Sequence, residues 1–141
     1  MLYPLQDSDG GPFCSEAGSA DMSTTSPKVR KGSNDQVQAC LWDGSAVRAL
    51  GVLTGTDGTD AYGVNSIGQV VGECTKTIDF PSNIRYTAFL WESGALKDLN
   101  SLIDSTQGWE LRKARDINDA GMIVGFGTHN GISRAFLLTP K

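Results

Sequence analysis

The chain is predicted to be all-β, built of antiparallel four-stranded meander repeats that resemble β-propeller blades, about two and a half units in all. Three observations predict this. First, "NSIGQVVG" (65–72) and "NDAGMIVG" (118–125) say nearly the same thing 53 residues apart. Second, "ACLWDGSAVRALG" (39–51) aligns with "AFLWESGALKDLN" (88–100) at a constant offset of 49, and "RAFLLTPK" (134–141) begins a third copy 47 residues further on. Two motifs recurring together at this spacing form an internal repeat of the size of one four-stranded blade. Third, glycine supplies 17 of 141 residues, well above its usual share of about 7%. With short runs of Val, Ile, Thr and aromatics, that excess signals short strands and tight turns.

Residues 1–36 have a different texture. Ser, Gly, Pro, Asp, Thr and Asn fill 20 of the 36 positions. Such a stretch buries too little apolar surface to offset the entropy of ordering it. It is therefore expected to be a polar, flexible N-terminal arm, with the β-repeat domain spanning 37–141. From residue 37 onward, short apolar runs alternate with turn signals. "LWDGSAV" and "LWESGAL" each read as a hairpin. In "NSIG" and "NDAG" the Asn side chain can bond its own backbone and the Gly supplies a positive φ, the pattern of a type I turn closed by a glycine bulge. "HNG" (129–131) contains Asn-Gly, a strong two-residue hairpin signal.

The second unit is then a meander of "DAYGV", "QVVGEC", "YTAFLW" and "ALKDL". In "AFLW" both alternating faces are apolar, Ala and Leu on one and Phe and Trp on the other. That fits a strand covered on both sides, as where sheets stack face to face. Nine strands are expected: two in the first unit (39–50), four in the second (60–99) and three in the third (111–139). So few units leave outer apolar faces uncovered, and a homo-oligomer is expected to cover them, with a dimer closing a ring of five or six blades.

These motifs resemble the bacterial HAF repeats of probable extracellular proteins. The pattern there is a small residue followed by Phe-Leu-Trp, a Gly-led turn, an acidic-Leu pair and Ile-Asn-x-x-Gly-x-Val-Val-Gly. Residues 38–139 match it, with Cys40 in place of the Phe, Leu138 in place of the Trp and Val64 in place of the Ile. The resemblance implies propeller-like repeats and, often, secretion, although "MLYPLQDSDGG" has neither the basic start nor the apolar stretch of a signal peptide. It implies no enzymatic activity.

The residues that could carry chemistry are few. His129, the single histidine, lies beside Asn130-Gly131 and reads as a solvated turn residue. Ser133 in "GISRA" echoes a nucleophile elbow but enters a strand where a helix is required. "GFGTHNG" lacks the helix that would hold a pyrophosphate. The spaced Asp residues of "DSDGG" and "DGTD" never reach the Glu that completes a calcium loop. Cys14, Cys40 and Cys74 form no metal-ligand spacing and no disulfide framework. Cys40 and Cys74 read as buried inert thiols, and Cys14 as the one that could react. Trp109 and Arg112, read as part of the long inter-unit loop, are the candidate ligand-binding residues, although the stronger reading of Trp109 is as a staple holding that loop to the sheet.

The formal net charge of −4 argues against a nucleic-acid partner, and no apolar run approaches the length of a membrane span. No metal and no cofactor is expected. The expected function is non-catalytic: a β-repeat scaffold presenting loops to a protein or a glycan. Two alternatives stay open. One is a small hydrolase-like enzyme using Asp60, Asp116 or Asp119. The other is a piece of a larger propeller.

Overall fold

The protein is described here from a computed structural model that places residues 28–31, 37–42, 47–79 and 83–141. Among the described residues, ten strands form three antiparallel sheets, none closed into a barrel. The first sheet runs β1 (Lys28–Lys31), β2 (Val37–Trp42) and β3 (Val47–Ala49). The second runs β4 (Gly58–Val64), β5 (Val70–Asp79), β6 (Asn83–Glu92) and β7 (Ala95–Asp98). The third runs β8 (Trp109–Ile117), β9 (Ile123–His129) and β10 (Ile132–Leu138). Each strand pairs with its neighbour in sequence, so every sheet is a meander. Among the described residues there is no α-helix, only two 3-10 turns at Leu99–Leu102 and Ser105–Gln107.

Four strands occur in the second sheet alone. Lys28–Lys31 pairs antiparallel with β2, Lys28 opposite Cys40, and so places a tenth strand inside the polar stretch. Neither composition nor periodicity signalled it, because four residues with three cations carry no period-2 pattern. The rest of that stretch, residues 1–27 and 32–36, lies outside the described residues, as does the tip of the "LWDGSAV" hairpin.

The repeated turns are built alike. Gly68 N donates to Asn65 O and Gly121 N to Asn118 O, at 3.1 and 3.0 Å. The two Asn side chains accept from Gln69 N and Met122 N, each at 2.9 Å. Gly68 and Gly121 then take φ of +84° and +80°, a conformation that only glycine enters without a Cβ clash. At Ser93-Gly94 and Asn130-Gly131 both turn residues have positive φ, which matches the twist of the flanking strands in two-residue hairpins.

The second sheet is buried on both faces. Phe89 and Trp91 pack with Ala39, Leu41, Leu50, Val70 and Cys74 in a cluster shared with the first sheet. Ala88 and Leu90 pack with Val71, Leu111, Ala114, Ile123 and Phe136 in a cluster shared with the third. Phe89, Leu90 and Trp91 keep only 0, 8 and 7% of their surface, as expected of a strand with two apolar faces. The same relation holds at both steps: β4 lies over β1 and β2, and β8 lies over β5 and β6. Equivalent turns also bond directly, Asn65 Nδ2 donating to Asn118 O (3.0 Å) and Ser66 N to Asp119 Oδ1 (2.9 Å).

Candidate functional site

The first strands of the second and third sheets carry the same defect. The β4–β5 register shifts between Ala61 and Gly63, leaving Tyr62 as the extra residue. The β8–β9 register shifts between Ala114 and Asp116, leaving Arg115. These positions are 53 residues apart, so the bulge belongs to the repeat. A bulge re-aims its side chain out of the ladder alternation. Here it brings the two extra residues together: the Arg115 guanidinium carbon sits 4.7 Å from the Tyr62 ring centre and 5.2 Å from that of Phe126. Their backbones are close as well. A Cβ on Gly63 would lie 2.9 Å from the Cα of Asp116, so the close approach of β4 to β8 requires glycine there.

Beside this pair lies a second cation over aromatic faces. Lys113 Nζ is 4.2 Å from the Tyr86 ring centre and 5.9 Å from Phe126. A row of contacts therefore runs Tyr86, Lys113, Phe126, Arg115, Tyr62, drawn from β4, β6, β8 and β9. Under it sits Glu73 on β5, only 3% exposed. Its Oε1 accepts from the Tyr62 hydroxyl at 3.0 Å. Lys113 Nζ stands 3.1 Å from Oε2, an ion pair whose angles fall short of a hydrogen bond. Oε2 thus has charge compensation without a directed donor.

The site perturbs its titratable groups. Burial, and then the Glu73 carboxylate, push the Tyr62 hydroxyl up to about 12, so it stays a donor. Burial raises the Asp60 carboxyl above its usual value, against the opposing pull of Lys113. The other loop carboxylates are engaged locally. Asp116 Oδ1 accepts from Ile117 N, and Asp119 is held below the usual range by the Ser66 N–H it accepts. None of Asp60, Asp116 and Asp119 lines the clefts beside Leu99, Arg112 or Trp109.

Trp109 and Arg112 line different grooves. Trp109 opens β8 rather than lying in a loop, is half-buried against the core, and stacks on the His129 ring at 4.8 Å. His129 Nε2 is 3.0 Å from Gln107 O, so ring and Trp tie the Ser105–Gln107 turn to the sheet. Arg112 is exposed, pairs loosely with Glu110 at 3.6 Å, and lines a groove of about 440 Å³ with Tyr86 and Arg85. The reading of Cys40 as a free thiol is corrected: it is disulfide-bonded. Cys74 is free, and burial pushes its thiol up to about 11.

Sequence reasoning passed over the row of cations and aromatics. A signal for it existed in Glu73, an acid inside the apolar run "VVGEC" on the same strand face as Val71. No protein-family model matches the chain, and neither does any curated protein or solved structure.

Proposed function

We propose that this chain is a non-catalytic recognition scaffold of propeller-like repeats, of the HAF kind, and that it binds its ligand at the Tyr62–Arg115–Phe126 face. The observation that carries the reading is the repeated bulge, which stacks an exposed Arg between two exposed aromatic rings. Arg115 has no ion pair among the described residues, so its guanidinium is open to a carboxylate, which it grips in bidentate fashion. The ring faces suit the C–H faces of a sugar. A carboxylated glycan satisfies both, with Glu73 and Lys113 holding the rings from below.

Two further observations support the reading. A disulfide at Cys40 fits an oxidising compartment, in keeping with the secretion that the repeat resemblance implies. The scattered engagement of Asp116 and Asp119 supports binding over hydrolysis, since a glycosidase needs two carboxyl groups facing each other across one bond. The stacking of equivalent faces at both sheet steps supports the propeller-like build and self-association of the chain through its uncovered end.

The test is calorimetric titration of the chain with uronic-acid oligosaccharides, neutral oligosaccharides and acidic peptides. Saturable binding of the uronic-acid series, weakened about tenfold or more by Arg115→Ala with an unchanged melting curve, is expected. Binding of acidic peptides instead would transfer the site to a protein ligand. Turnover of any of these compounds, or binding indifferent to both Arg115→Ala and Tyr62→Ala, would overturn the proposal.

A further inference from the structure

A second bulge pushes a second cation out of β8. The β8–β9 register also shifts between Leu111 and Lys113, which leaves Arg112 as an extra residue three positions before Arg115. The repeat does not require this one. Its equivalent 53 residues earlier, Thr59, pairs in register with Cys74. Leu111, Ala114 and Ile117 all keep their places in the core. The two bulges thus make every third residue point inward and leave Arg112, Lys113 and Arg115 between the core positions. Both bulged arginines are exposed. Arg115 turns to Tyr62 and Phe126. Arg112 lines the groove of about 440 Å³ with Arg85, Tyr86 and Glu110, walled by Ile78 and Ile84.

Tyr86 joins the two regions, since it lines that groove and carries the Lys113 ammonium 4.2 Å from its ring centre. The Lys113 charge is balanced by buried Glu73 at 3.1 Å, so the arginines are the cations left for a ligand. Arg85 is exposed and has no ion pair among the described residues. Arg112 meets Glu110 at 3.6 Å, with the two side chains 45 and 41% exposed. Such a contact has little strength, and a ligand carboxylate gripped by the guanidinium fork displaces it. Guanidinium groups on either side of Lys113 therefore complement two acidic groups carried on one chain. We propose that the groove of Arg85 and Arg112 is a second acid subsite, and that the ligand is a polymer of uronic acids lying across Arg115, Tyr86 and this groove rather than a single terminal acid. The proposal rests on the glycan reading of the Tyr62–Arg115–Phe126 face. Once Arg115 holds one carboxylate, the next contact is intramolecular, so affinity rises with the length of the ligand.

The test is calorimetric titration of the full chain with a uronic-acid disaccharide and hexasaccharide, and with an oligoglutamate of the hexasaccharide's charge. The hexasaccharide is expected to bind about tenfold or more tightly than the disaccharide, and added salt should weaken it more steeply. Arg112→Ala and Arg85→Ala, both at exposed positions, should each reduce that gain while leaving disaccharide binding and the melting curve unchanged. Arg115→Ala should weaken both lengths. Equal affinity for the two lengths, or a gain indifferent to Arg85→Ala and Arg112→Ala, overturns the second subsite. If Arg115→Ala still weakens binding in that case, the first site stands. An Arg115→Ala variant that binds both lengths as the parent does, or a parent chain that binds neither, overturns the glycan reading together with the subsite. Tighter binding of the oligoglutamate than of the hexasaccharide overturns the proposal by assigning the cations to an acidic polypeptide.

Discussion

Gly68 and Gly121 sit in the left-handed region at the same place of two turns, yet their surroundings differ. A Cβ on Gly68 meets nothing within 4 Å, whereas one on Gly121 reaches 3.0 Å from Pro140. Gly68→Ala is expected to cost about 1 kcal/mol from backbone strain, and Gly121→Ala somewhat more, measured by denaturant unfolding. Equal, negligible costs would contradict the strain account. Asp60 carries a pH signature. Because burial raises its folded carboxyl above the unfolded value, the folded chain retains a proton that the unfolded chain has already released. Stability attributable to Asp60 is therefore full below the usual aspartate value and is lost as pH rises through the raised one. Asp60→Asn should raise the melting temperature at pH 7 and leave it unchanged near pH 3, checked by melts across that range.

At the scale of elements, β6 is the strand on which both cores depend. Phe89 is fully buried toward the first sheet while Leu90 faces the third. Phe89→Ala is expected to cost about 3–5 kcal/mol, the range for emptying a packed aromatic site, as read from urea unfolding. A cost below 1 kcal/mol would mean that the first sheet does not close tightly over the second. The linker that follows β7 is held by a similar economy of means. Asn100 Oδ1 accepts from Leu111 N and its Nδ2 donates to Leu111 O, at 2.7 and 2.9 Å, so one side chain stands in for a strand residue beside β8.

For the molecule as a whole, the third sheet is the exposed end of the stack. Val71, Ala88 and Leu90, which it covers on the second sheet, recur in it as Val124, Ala135 and Leu137. There they face solvent, Leu137 keeping 60% of its surface where Leu90 keeps 8%. Apolar faces of this kind mark interfaces. The chain is expected to run as a dimer in light scattering on a sizing column at micromolar concentration, and Leu137→Lys should return it to a 15.0 kDa monomer. A wild-type monomer that melts cooperatively would refute this closure.

The spacing of "NSIG" and "NDAG", the Asn-Gly at 130–131 and the two-faced "AFLW" were enough to determine the turns, the meander and the burial of the second sheet. All three depend on local conformational preference and on side-chain alternation, which a sequence displays directly. The row of cations and aromatics was decided only in three dimensions. A bulge inserts one residue into one strand and leaves no mark in composition or period, and it alone turns Tyr62 and Arg115 toward each other. Trp109 shows the converse: its sequence neighbourhood suggested a loop, but the His129 ring that captures it lies 20 residues away in the chain, and the apolar cluster behind it draws on strands of the second and third sheets. Packing against partners distant in sequence outweighed the local signal.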